Sequence, residues 1–293
     1  MPTSLNEIQA LYRKCHYKTI AALALLLVSL ALFLVNRWLS LPFILAAVFC
    51  QFYFARRSRK LYAQAVTSVN LQKTLCRVLG AAAPQEKSSG AVTAGIIRRS
   101  GLMPFREEKN SPLLCWQIQG RLGKLPVSLC DATLTEDYHM PGSGKKRVHF
   151  NSGVWAHFDL PSNTGRQFSI VDPDAIPEAV RNEFFSESKG FKAVSLEPET
   201  AGRRFILYCP ADQENELPPV LFLSALKRLA RYTPGYPALS VNGSQLDVFL
   251  RNRFLSRPVP YTTAPTEKLL GADPFPELSY LTDLAKAASG SAS

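Results

Sequence analysis

The sequence predicts an α+β fold, in which an N-terminal transmembrane helical hairpin precedes a cytosolic domain with an antiparallel-rich sheet and a few helices. Two apolar runs without a charged residue lie near the N-terminus, at 19–35 and 38–54. After residue 90, short segments alternate apolar and polar residues between turn-forming residues, which is typical of half-buried strands. Few segments in that part of the chain show the spacing of an amphipathic helix.

Each apolar run has 17 residues, which as a helix would measure about 26 Å, near the lower limit for a bilayer core of about 30 Å. Only Asn36 and Arg37 separate the runs, so we expect a tight helical hairpin. Two alternatives stay open. A cleaved signal peptide would account for the first run, although no small-x-small cleavage site follows it. A shallow hairpin that enters and leaves one leaflet would account for both runs.

The basic flanks of the hairpin predict its orientation. Arg13, Lys14 and Lys18 precede the first run, and four basic residues follow the second, whereas the turn has only Arg37. The positive-inside bias therefore predicts a multi-pass protein of the bacterial inner (plasma) membrane with both termini in the cytoplasm.

The four basic residues after the second run form a candidate membrane-surface site. Near an anionic leaflet each Lys or Arg is worth about 1 kcal/mol of binding. The alternative is that they act only as a topology determinant. The four residues are Arg56, Arg57, Arg59 and Lys60.

The excess charge is confined to the same part of the chain. Residues 1–110 hold 15 basic and 4 acidic residues, which accounts for the whole formal charge of +11, and the remainder is balanced. A nucleic-acid-binding domain needs a basic face. We therefore expect the lipid bilayer as a partner and no nucleic acid.

The chain divides into five predicted parts. A lead-in helix at 1–18 begins with the capping-box spacing of Ser4 and Glu7; it either lies on the membrane surface or simply precedes the span. The hairpin follows at 19–55, and a juxtamembrane helix and a Pro/Gly/Ser linker at 56–90. The α+β domain covers 91–270, and a C-terminal helix and tail cover 271–293.

Within the domain, turn residues separate the predicted strands. A hairpin joins 113–119 to 125–134, a glycine-rich loop at 140–147 precedes a strand at 148–160, and Gly153 is a candidate bulge. Asn242-Gly243 gives the strongest hairpin signal, between two runs at 238–250. Further strands are predicted at 166–171, 191–197 and 203–209, and helices at 217–232 and 276–288.

This order of elements resembles a bacterial membrane-protein family known as domain of unknown function thirty-one thirty-seven. The resemblance covers about residues 1–270 and rests on "SGLMP" (100–104), "HFNSGVWAHFDL" (149–160), "FSIVDPD" (168–174) and "SVNGSQLDVFL" (240–250). It departs from the family at Asn215, where a small and a basic residue are usual. The resemblance implies two apolar helices before a cytosolic domain, but it assigns no catalytic residue because the family has no established activity.

No motif in the sequence predicts a catalytic, cofactor-binding or metal site. The "GSGKK" segment has His139 where a phosphate-binding loop needs its first Gly, and Lys146 where it needs Ser or Thr. His149 and His157 would lie about 26 Å apart in a straight strand, too far for one metal ion. Cys115 and Cys130 fall on neighbouring predicted strands, and in the cytosol both are expected to be reduced.

These observations favour an interaction or scaffold module, held at the membrane and accessory to another membrane protein. Self-association is a further expectation. An enzyme is not expected, although a buried Asp131, Asp159 or Glu197 beside a histidine would favour one acting on an envelope or lipid-linked substrate. The third hypothesis is an anionic-lipid sensor.

Overall fold

The computed structural model describes residues 4–35, 37–84, 92–102, 112–140, 144–175, 190–213, 218–256 and 259–290. The chain forms two compact units. The first unit combines Met1–Thr74 with Ser256–Asp273, and the second combines Leu75–Leu255 with Pro274–Ser293. The first unit is therefore discontinuous in sequence, since the chain returns to it after the sheet is complete.

Helices form the first unit. They are α1 (Leu5–Val35), α2 (Arg37–Phe49) and α3 (Arg56–Leu71), with π-helical segments at Cys50–Ala55 and Gln72–Cys76. The short helix α7 (Glu267–Leu270) belongs to the returning chain. The predicted capping box is present, because the backbone amides of Ser4 and Glu7 each donate to the other's side chain at 3.3 Å.

One helix in the described part of the chain, α1, is long and apolar enough to cross a membrane, judged by length and composition. The sequence predicted two such helices. The second apolar run is divided between α2, which has 13 residues and contains Pro42, and the π-helical segment after it. Two separate membrane-spanning helices thus remain a prediction.

The second unit is built on an eight-stranded sheet. The strands are β1 (Leu113–Leu122), β2 (Leu125–Met140), β3 (Gly144–Asp159), β4 (Gln167–Val171), β5 (Phe191–Leu196), β6 (Phe205–Pro210), β7 (Tyr236–Asn242) and β8 (Gln245–Arg251). Their order in the sheet is β1-β2-β3-β8-β7-β4-β6-β5, and every neighbouring pair is antiparallel. The predicted α+β class and antiparallel sheet are confirmed.

Both faces of the sheet are covered. On one face Trp155 and Phe249, which are directly opposite each other, join a buried cluster with Ile97 of α4 (Ala94–Arg99). On the other face Phe168 of β4 packs edge-on against Phe222 of α6 (Val220–Tyr232). Helix α8 (Leu278–Ala288) packs on α6, and α5 (Pro198–Ala201) is a single turn.

The β2–β3 hairpin differs from the prediction in two ways. The loop expected at 140–147 is shorter, because β2 continues to Met140, which pairs with Gly144. The irregularity expected at Gly153 lies elsewhere: Gly153 pairs regularly with Ala132, and the register shifts where Leu134 is followed by Thr135. A side chain at Gly153 would collide with the facing strand, since a Cβ there would lie 2.3 Å from a backbone oxygen. Glycine is thus needed there for the close approach of β8.

Candidate functional site

The four basic residues of the predicted membrane-surface site lie on different faces of helix α3. Arg56, Arg57 and Lys60 are exposed, whereas Arg59 is half-buried. The spacing explains this: successive residues turn by about 100°, so 56, 57 and 60 share one side of a helix. The opposite side of α3 carries buried Tyr62.

Arg59 is held inside the helical unit. Its Nη2 donates to Thr19 Oγ1 of α1 and to Gln51 Oε1, each at 3.4 Å. Its guanidinium carbon lies 4.1 Å from the centre of the Tyr261 ring, a cation–π contact. These contacts give Arg59 a structural role that its exposed neighbours do not share.

Tyr261 belongs to the chain that returns to the first unit, which we name the return segment (residues 259–272). Tyr62 Oη donates to the Thr263 carbonyl at 2.6 Å, and Asn70 Nδ2 donates to the carbonyls of Leu269 (3.0 Å) and Ala272 (2.8 Å). Burial, with a smaller effect from Tyr12, raises the pKa of Tyr62 to about 12. The Tyr62 hydroxyl therefore keeps its proton and donates at any physiological pH.

The second unit contains a buried polar row that crosses the sheet. Residues directly opposite each other on neighbouring strands share a face, and in this row the partners are Ser128, His157, Asp247, Ser240, Ser169 and Tyr208. All six are buried. Buried polar groups need hydrogen-bond partners, so the contacts within this row bear on the stability of the sheet.

At the centre of the row, one carboxylate oxygen binds two donors. Trp155 Nε1 donates to Asp247 Oδ1 at 2.8 Å, and His157 Nδ1 lies 2.9 Å from the same oxygen. Because a carboxylate only accepts, Nδ1 carries the hydrogen. On the other side of the ring, His157 Nε2 lies 3.5 Å from Asp159, whose side chain is 60% exposed.

Opposing effects set the pKa of His157. Burial lowers it, but the hydrogen bond and charge of Asp247, together with the charge of Asp159, outweigh burial, so the pKa of His157 is raised above its ordinary value. Folding thus stabilises the protonated form of His157 relative to the unfolded chain. No motif in the sequence identifies Asp247 as the partner of His157. Asp159, one of the three acidic candidates, does lie near His157, but its side chain is exposed.

The other two acidic candidates make different contacts. Asp131 is buried and its Oδ1 accepts the Leu255 amide at 2.6 Å, so it fixes the chain after β8. Glu197 is exposed and accepts from Ser195 Oγ at 3.3 Å. Both contacts are structural.

None of the six cysteines forms a disulfide. In the register of the first hairpin, Cys115 stands opposite Asp131 and not opposite Cys130. Burial raises the pKa of Cys130, with Asp131 and Cys115 adding to the effect, which makes Cys130 a poor nucleophile.

A cavity of about 530 Å³ lies at one end of the sheet and is lined in part by Asp172, Arg203, Arg204 and Tyr236. Burial raises the pKa of Asp172, against the opposing effects of its backbone hydrogen bond and Arg203. However, Arg203 donates to two backbone carbonyls, of Thr233 at 2.6 Å and of Gly235 at 3.0 Å. This arginine therefore fixes the entry into β7.

Among the residues that the structure describes, no group of three or more His, Cys, Asp or Glu is placed to hold a metal ion. The backbones of His139 and His149 lie in β2 and β3, but their side chains fall outside the described residues, as do Asn36 and Asn215 and part of the "GSGKK" segment. The described geometry thus offers a basic helix face and a buried His–Asp pair as its distinctive polar features.

Comparison with known proteins adds little. No protein-family model matches the chain, and no curated protein matches it. Among solved structures, it is similar to the crystal structure of the mycobacterial trehalose monomycolate transport factor A, TtfA, with a TM-score of 0.39 and 8% sequence identity. That similarity covers 76% of this chain and 95% of the other. At this level of similarity no conclusion about function follows.

Proposed function

We propose that this protein is an interaction module that a transmembrane hairpin anchors in the bacterial inner membrane, where it serves as an accessory to another membrane protein. One observation carries the membrane part. Of the 26 exposed large apolar side chains in the described residues, 20 lie between Tyr17 and Phe54. Exposing so many apolar groups to water in one stretch would be strongly unfavourable, and a bilayer removes that cost.

Both apolar runs contribute to this exposed set, for example Leu30 in α1 and Leu45 in α2. Contacts at one end support an antiparallel hairpin: Arg59 reaches Thr19, and Lys18 Nζ lies 5.6 Å from the centre of the Phe54 ring. These contacts support an arrangement in which the start of the first run and the end of the second lie at the same depth in the membrane. Basic and aromatic residues are typical of that level, the membrane–water interface.

The interaction role follows from what the anchor carries. The second unit is a folded domain whose clearest candidate chemistry, the His157–Asp247 pair, is buried within the sheet. Tethering raises the effective concentration of such a domain for partners in the same membrane. We expect the domain to bind a protein partner, with a second copy of this chain as an alternative partner.

A reporter fused at the C-terminus tests the topology. We expect a fluorescent protein fused after residue 293 to be bright and an alkaline phosphatase fusion to be inactive, because both termini are cytoplasmic. An active phosphatase fusion would contradict the proposal.

Affinity purification tests the interaction role. The full chain should be extracted in a mild detergent, with a variant that carries the anchor but unfolds the sheet, Gly153→Trp, as the control. We expect membrane proteins that co-purify with the wild-type chain and not with the control. Identical profiles for the two would count against a binding role of the domain.

The exposed basic residues of α3 support a contact with anionic lipid. In reconstituted membranes, spin-labelled phosphatidylglycerol should be enriched at the protein over spin-labelled phosphatidylcholine. A charge-matched control changes three exposed basic residues elsewhere to Gln: Arg121, Arg204 and Lys268. We expect the selectivity to fall in a triple Gln variant of Arg56, Arg57 and Lys60 and to persist in the control. Equal selectivity in both variants would leave those three residues as topology determinants only.

A further inference from the structure

A second cavity lies in the sheet-bearing unit, between the turn of the first hairpin and the C-terminal helix. Its volume is about 660 Å³, within the range of small-molecule sites. The hairpin turn contributes Leu122, Gly123, Lys124 and Leu125, and Pro161 follows β3. Thr282, Lys286 and Ser289 complete the lining. Thr282 and Lys286 lie four residues apart on one side of α8, and Ser289 directly follows the helix.

The turn that presents Lys124 has a fixed geometry. Leu122 pairs with Leu125 across a two-residue turn, and Gly123 has a φ of 62°. Glycine adopts this left-handed conformation without strain. The position of Lys124 at the cavity is therefore set by the backbone of the hairpin.

The polar groups of the lining are of two kinds. The hydroxyl groups of Thr282 and Ser289 donate to backbone carbonyls of α8, those of Leu278 (2.7 Å) and Lys286 (2.9 Å). By contrast, neither Lys124 nor Lys286 forms a side-chain hydrogen bond or an ion pair with any residue in the described ranges. No carboxylate is among the lining residues. The cavity thus combines apolar walls with two exposed lysines that have no acidic partner in the part of the chain that the structure describes.

We propose that this cavity binds the anion of a single-chain amphiphile. The acyl chain would lie against Leu122, Leu125 and Pro161, and the carboxylate or phosphate head would pair with the ammonium groups of Lys124 and Lys286. An apolar tail gains from leaving water, and an anionic head gains from two cations that have no ion-pair partner among the described residues. This site lies within the sheet-bearing unit, so it does not depend on the proposed anchor or its orientation.

The proposal can be tested by photolabelling. The full-length chain in phosphatidylcholine nanodiscs is irradiated with a diazirine-bearing hexadecanoate, and the labelled peptides are mapped by mass spectrometry. We expect labels at residues 122–125 and 282–289. Labels confined to residues 5–54 would show that the probe reaches the protein only through the bilayer, and would overturn the proposal.

Competitors test the two halves of the ligand. Unlabelled hexadecanoate should displace the probe better than hexadecanol, which lacks the charge. From decanoate to tetradecanoate, every two added methylene groups should strengthen competition by roughly tenfold, since each buried methylene is worth about 0.8 kcal/mol. Equal competition by hexadecanol, or no dependence on chain length, would refute the assignment.

Substitution of the two lysines tests whether they bind the head group of hexadecanoate. Lys124→Gln and Lys286→Gln each remove one charge from the cavity, and we expect each to weaken competition by hexadecanoate about two- to fivefold, as for a partly exposed ion pair. Lys268→Gln, which changes an exposed lysine outside the cavity, should have no effect. Unchanged binding in the double Gln variant would overturn the proposal.

Nanodiscs of different lipid composition distinguish a free single-chain acid from a membrane lipid as the ligand of the cavity. Adding phosphatidylglycerol to the nanodisc should leave labelling by the probe unchanged if the cavity takes a free single-chain acid. Displacement by phosphatidylglycerol that is lost in the double variant would assign the same cavity to a membrane lipid and overturn the single-chain part of the proposal.

Discussion

Replacing Asp247 by alanine tests whether the buried polar row stabilises the fold. The change removes the acceptor of two buried donors, Trp155 Nε1 at 2.8 Å and His157 Nδ1 at 2.9 Å. An unsatisfied buried donor costs about 1–3 kcal/mol, and breaking a buried charge pair costs about 3–5 kcal/mol. At pH 6 we therefore expect Asp247→Ala to lower the free energy of unfolding by about 3–5 kcal/mol.

The same variant should show a characteristic pH dependence. The pKa of His157 is raised in the fold, so its contribution to stability is complete below the unfolded pKa of about 6.5 and is lost as the pH rises through the folded pKa. The stability difference between wild type and Asp247→Ala should thus shrink from pH 6 to pH 9.

Urea unfolding of the full chain in phosphatidylcholine nanodiscs measures both effects. The chain has three tryptophans, and changing the other two to phenylalanine leaves the emission of Trp155 as the signal. Ser240→Ala is a matched control, because Ser240 stands opposite Asp247 in the same row but is uncharged; we expect it to cost about 1 kcal/mol. A cost below about 1 kcal/mol for Asp247→Ala, or a difference that grows with pH, would refute this reasoning.

Three further predictions concern single positions in the same unit. Glu277 is 2% exposed and binds Arg253 through both oxygens, at 2.7 and 2.9 Å, so Glu277→Ala should lower the free energy of unfolding by about 3–5 kcal/mol in the same urea titration. Gly153→Ala would place a Cβ 2.3 Å from a backbone oxygen and should cost at least about 2 kcal/mol; Gly95→Ala, whose nearest contact is 3.6 Å, should be tolerated when thermal unfolding is compared. Burial raises the pKa of Cys76 to about 11, so its alkylation at pH 8, followed by mass spectrometry, should be roughly a hundredfold slower than that of an unperturbed thiol.

Local patterns in the sequence were sufficient to predict most of the strands. The turn at Asn242-Gly243 is present, with Gly243 at a φ of 60°, and β7 and β8 flank it. The first hairpin also forms as predicted. Such hairpins are determined by neighbouring residues, which is why alternation and turn chemistry identify them.

The His157–Asp247 pair could not be predicted in this way. Asp247 stands between Leu246 and Val248, so alternation alone assigns it to a solvent-facing side. It is buried because the sheet is covered on both faces and because β3 pairs with β8, which lies some 90 residues further along the chain. The pairing of distant strands, and therefore their register, is not encoded in any short pattern.

The contact of the return segment with the helices could not be predicted for the same reason. Within that contact, the role of Arg59 can be separated experimentally from the roles of the other three basic residues. In the sequence, Arg59 is one of four similar charges; in the fold, its planar guanidinium contacts Thr19, Gln51 and the Tyr261 ring. Lysine keeps the charge but loses the fork of donors and the planar group that stacks. If the positive charge alone held the return segment, Arg59→Lys would protect the amides of that segment from hydrogen exchange as well as wild type does.

We expect Arg59→Lys instead to resemble Arg59→Gln, with faster amide hydrogen exchange across residues 259–272. Lys60→Gln removes one charge from the exposed face of α3 and should leave that exchange unchanged. Wild-type protection in Arg59→Lys combined with loss in Arg59→Gln would show that the positive charge, and not the shape of the side chain, holds the return segment against the helices.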